Sequence, residues 1–69
     1  MQMSDFDRVG LLVKGLETEL GVPPREHCIV RLEEDTPGEI ADEGVAQFNA
    51  THRGYRAHRE AKQIIIDKD

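Results

Sequence analysis

The chain has 69 residues, with fourteen acids against nine Lys and Arg and a formal net charge of −5. That length allows one small domain spanning residues 1–69. The acidic balance argues against whole-surface attraction to nucleic acid or anionic membrane.

A composition that is 38% hydrophobic and 33% charged suits a folded chain rather than a disordered one. The apolar run Gly10-Leu11-Leu12-Val13 is closed by Lys14. A membrane helix needs roughly 18–20 such residues, so no membrane contact is expected. A secretory leader would open with basic residues before an apolar core, and that pattern is missing. A cytoplasmic protein is therefore expected. Large apolar residues are few: five Leu, five Ile, five Val and two Phe, with no Trp. So small a core makes an isolated monomer marginal, and a homodimer is the expected remedy.

Ser4-Asp5-Phe6-Asp7 has the form of a capping box, with an acid three residues after the cap. Behind it Phe6, Val9, Leu12, Val13, Leu16 and Leu20 recur at spacings of three and four, the period of one helix face. Gly21 followed by Pro23-Pro24 supplies the stop. These signals predict a helix over residues 4–20. Gly10 and Gly15 weaken it, unless they admit another backbone at close range.

Residues 27–33 alternate, with Cys28, Val30 and Leu32 on one side and Ile29 on the other, and read as a strand. A short helix from Pro24 is the competing reading. Thr36-Pro37-Gly38-Glu39 predicts a second helix, with Thr36 as cap and Pro37 at the first helical position. It carries Ile40, Ala41, Val45 and Phe48 inward and ends between Asn49 and Arg53, near Gly54. Residues 55–62 read as further helical turns or a loop. Ile64-Ile65-Ile66 reads as a strand over 63–67.

The expected class is α+β, ordered helix-strand-helix-strand, with the two strands parallel across a helical crossover. Two strands make a poor sheet, so the sheet would be completed by dimerisation, which would also cover an exposed Ile64–Ile66 edge. An all-α bundle of three or four helices is the alternative.

Charge is uneven. Residues 1–50 carry a net −7 and residues 51–69 a net +2. The acidic block is Glu33, Glu34, Asp35, Glu39, Asp42 and Glu43. It lacks the alternating acids and turn glycine of a calcium loop. Acids near a helix start also favour its macrodipole. The basic block runs from His52 to Lys62. If helical, Arg56, Arg59 and Lys62 would share one side. Tyr and Arg dominate binding energies at protein interfaces and also grip phosphates and bases.

Catalysis is not expected. His27, Cys28, His52 and His58 lack the paired spacing of a structural zinc site, so no metal is assigned. Cys28 lies in an apolar stretch and reads as a small buried hydrophobe. Ser4 and Thr36 are accounted for as caps, which leaves Cys28 with a distant His as the only nucleophilic option. No glycine-rich phosphate loop exists, and no cofactor is expected.

The composition therefore points to a small acidic protein-binding module: a regulator, adaptor or inhibitor, with a phage-type inhibitor as one form. Its expected contacts are Arg53, Tyr55, Arg56, Arg59 and Lys62, together with Glu39, Asp42 and Glu43 on the second helix. The alternative is a nucleic-acid-binding homodimer using the basic segment 52–62.

Overall fold

A computed structural model describes residues 4–69. Its elements are α1 (Asp5–Leu20), β1 (His27–Arg31), α2 (Gly38–Thr51), β2 (Tyr55–Glu60) and β3 (Gln63–Lys68). They form a small α+β fold in which two helices cover one face of a three-stranded antiparallel sheet. No helix among the described residues is long and apolar enough to cross a membrane.

α1 begins at the predicted Ser4 cap. The Ser4 hydroxyl accepts from the Asp7 N–H at 3.2 Å. It ends at Gly21, whose N–H reaches the Glu17 carbonyl and whose φ of +83° suits glycine. Val9, Leu16 and Leu20 are buried, and Leu12 packs against the core. Phe6 departs from the predicted face: it is 80% exposed, because neither α2 nor the sheet covers the first turn of α1.

α2 starts one residue later than the Thr-Pro signal indicated. Pro37 is the N-cap and no side chain caps it; the Thr36 N–H donates to the Glu33 carbonyl in the preceding turn. Ile40, Ala41, Gly44 and Phe48 form its buried face. The close approach of the helices falls at Gly44 rather than at Gly10 or Gly15. A Cβ at Gly44 would lie 2.6 Å from Leu12 Cδ2, whereas one at Gly10 or Gly15 would meet nothing within 4 Å.

The sheet corrects the parallel pairing. Its order is β1-β3-β2, and both pairs are antiparallel. Residues 55–60 are a strand rather than helix or loop, and this extra reversal brings β3 back antiparallel to β1. β2 turns into β3 through Ala61, held at φ 53°, the kind of backbone that tight hairpin turns demand. Ile64–Ile66 is then the central strand and forms no edge. Leu16, Phe48, Ile64 and Ile66 fill the space between helices and sheet. The all-α alternative and the helical reading of residues 24–34 are excluded.

Candidate functional site

Alternation along the three strands divides the sheet into two faces. The inner face carries Cys28, Val30, Ala57, Ile64 and Ile66 against the helices. The outer face is covered by no described element of the chain. Register lays it out in three rows: His27–Asp67–Arg56, Ile29–Ile65–His58 and Arg31–Gln63–Glu60. Ile29 is 53% exposed and lies beside half-buried Ile65 in the middle row. Around these two side chains stand Arg31, Arg56, Glu60 and Asp67, two cations and two anions. Asp67 is bonded to the His27 ring.

The eight sequence-predicted contact residues do not form one patch. A strand separates what a helix would have aligned: Arg56 points outward, while Arg59, three positions on, is on the helix side of the sheet. Tyr55 packs against the core, Arg53 is exposed in the turn before β2, and Lys62 is in the hairpin turn.

Two of the eight meet each other. Arg59 Nε donates to Asp42 Oδ1 at 2.6 Å, and its NH1 donates to the Ala61 carbonyl at 2.9 Å. The guanidinium holds the Asp42 carboxyl below its ordinary value, chiefly through the hydrogen bond. Asp42 and Arg59 thus tie α2 to β2, whereas Glu39 and Glu43, the other acids of α2, are exposed and take no part in that tie. Lys62 Nζ likewise donates to the Glu34 carbonyl at 2.9 Å.

The remaining chemistry is spread out. Cys28 is buried, and burial pushes its thiol up, with Arg25 opposing and Glu19 and Asp67 reinforcing the rise. The His52 ring stacks on Phe48 with centroids 4.2 Å apart, far along the chain from Cys28. No cluster of His, Cys, Asp or Glu among the described residues could hold a metal ion.

Sequence reading missed Asn49. Its carboxamide accepts from the Ala57 N–H at 2.8 Å and donates to the Ala57 carbonyl at 2.9 Å. In chain order it marked only the end of α2. Its role depends on β2, which lacks the branched residues that announce a strand.

A groove of about 490 Å³ runs between α1 and β1, with Leu11, Leu12, Val30, Leu32 and Ile40 in its wall. Arg8, Glu19, Arg31, Glu33 and Asp35 also line it. No family model, curated protein or solved structure gives a significant match to this chain.

Proposed function

We propose that the chain is a non-enzymatic protein-binding module, a regulator, adaptor or inhibitor, that works as a homodimer and holds its partner protein on the open sheet face. The observation that carries this reading is the make-up of that face. Ile29 and Ile65 form an apolar centre, and Arg31, Arg56, Glu60 and Asp67 form a charged ring about it. An apolar centre within a polar rim is the anatomy of a protein interface.

Charge favours a protein partner over nucleic acid. Two guanidinium groups offset two carboxylates on the open face, whereas a nucleic-acid surface needs a net excess of Lys and Arg. Of the residues singled out in the sequence, Arg56 belongs to the open face. Glu39 and Glu43 lie on α2, across the molecule from it.

The test is affinity capture from lysate after nuclease treatment, followed by charge reversal. A stoichiometric protein is expected to survive the nuclease. Arg56→Glu combined with His58→Glu should weaken its binding at least tenfold with an unchanged circular dichroism spectrum, and Glu39→Lys combined with Glu43→Lys should leave it intact. The reverse pattern would move the site to α2. A complex lost to nuclease would make the chain a nucleic-acid binder.

A further inference from the structure

The sheet has two edges, and the chain treats them differently. Hydrogen bonds from the Leu32 N–H to the Lys62 carbonyl and from the Lys68 N–H to the Glu26 carbonyl fix which backbone groups of β1 face β3. By antiparallel alternation, Cys28 and Val30 also turn toward β3, and the N–H and C=O groups of His27, Ile29 and Arg31 point away from the sheet. No described residue bonds them there. At the opposite edge the Asp69 N–H bonds the Gly54 carbonyl, so Tyr55, Ala57 and Arg59 are the outward residues. That edge is blocked at its middle and at its start. The Asn49 carboxamide takes both backbone groups of Ala57, and the Tyr55 N–H donates to the His52 carbonyl at 3.3 Å.

Side chains follow the same division. β2 reads Tyr-Arg-Ala-His-Arg-Glu, the charged composition that discourages strand pairing, while the open β1 carries Cys28, Ile29 and Val30. One edge is blocked at its middle by a built-in side chain, and the other is apolar in its middle and bonded there by no described residue.

We propose that β1 pairs antiparallel with β1 of a second copy about a two-fold axis at Ile29, joining two three-stranded sheets into one of six strands. The register follows from which groups point outward: Ile29 opposes Ile29 of the second copy, and His27 opposes Arg31. Each such pair exchanges two N–H···O bonds, about six in all.

Two features favour a second copy over an unrelated strand. On the open face, Ile65 and Ile29 of one copy continue into Ile29 and Ile65 of the other, forming one apolar stripe. Each Arg31 also comes beside the His27–Asp67 pair of the other copy, setting a guanidinium near a carboxylate. The groove at Leu11 and Val30 borders the same edge, and Leu11, now 54% exposed, lies beside the joint. The inference gives a location to the homodimer of the functional reading and rests on that part of it alone; partner capture is independent of it.

Sedimentation velocity on the purified full chain is the test. The wild type should sediment at twice 7.8 kDa at micromolar concentrations. Ile29→Lys should raise the dissociation constant at least tenfold with an unchanged circular dichroism spectrum, and Ala46→Lys on the exposed side of α2 should not.

A second variant guards against loss of fold. Opposed residues of a hydrogen-bonded pair have Cα atoms about 5.5 Å apart, within disulfide range. Ile29→Cys should therefore oxidise to a covalent dimer much faster than Ala46→Cys. A wild type that stays monomeric at hundreds of micromolar would overturn both the dimer and its interface. A dimer indifferent to Ile29→Lys, or equal cross-linking of the two cysteine variants, would overturn the interface alone.

Discussion

Asn49 presents one donor and one acceptor to Ala57, the same pair of groups that a neighbouring strand would present there. Replacing it leaves a part-buried N–H and C=O without partners, each with a desolvation cost. Asn49→Ala is expected to destabilise the fold by about 1–2 kcal/mol in chemical denaturation. Asn49→Asp should recover only part of this loss, because a carboxylate accepts from the N–H but opposes the carbonyl. The Asp42–Arg59 pair makes a different prediction, one of pH. Hydrogen bonding to Arg59 depresses the Asp42 pKa in the folded chain. The stability it contributes is therefore present above the unfolded value near 3.8 and is lost as pH falls through the lower folded value. The stability difference between wild type and Arg59→Gln should be constant near neutrality and close on acidification. A gap that persists at the acid end would show that Arg59 acts by packing.

At the scale of elements, the helical glycines Gly10, Gly15 and Gly44 separate two effects that sequence reading had joined. Gly10 and Gly15 cost helix propensity and admit nothing, so Gly10→Ala and Gly15→Ala should each stabilise by about 1 kcal/mol. Gly44 carries the same propensity cost but seats Leu12, whose Cγ would be 3.1 Å from an added Cβ. Overpacking of this kind costs about 1–3 kcal/mol. Gly44→Ala should therefore be net destabilising by about 1 kcal/mol once the propensity gain is subtracted. Thermal melts of the three variants, measured at one protein concentration, check the opposite signs. A stabilising Gly44→Ala would mean that Leu12 re-packs freely.

Across the whole molecule, legibility followed how much of each element is buried. α1, β1 and β3 bury a regular face, so their periodicity survives in the sequence. The inner face of α2 was legible for the same reason, although its first residue was not, because Pro37 caps without a side chain. β2 buries only Ala57 fully among six residues, and its polar side chains carry no strand signature. Missing it cost the topology too, since a strand inserted before β3 reverses the direction in which β3 runs. The basic block was legible as charge but not as geometry. Alternation sends Arg56 outward and Arg59 onto Asp42, and only a known strand gives that alternation. Ile29 could be placed opposite Cys28 and Val30, yet the open face around it needed β2 to be visible.

β3 is the last of the five elements in chain order and takes part in every strand pair of the sheet. During synthesis, β1 and β2 emerge with no partner in common until Gln63–Lys68 follows them. Pairing with β1 must then close a loop at least as long as that from Arg31 to Gln63, the non-local kind of pairing that forms slowly. Until that closure the apolar edge of β1 has both sides free. A nascent chain halted before Gln63 has its helical segments and no ladder at all.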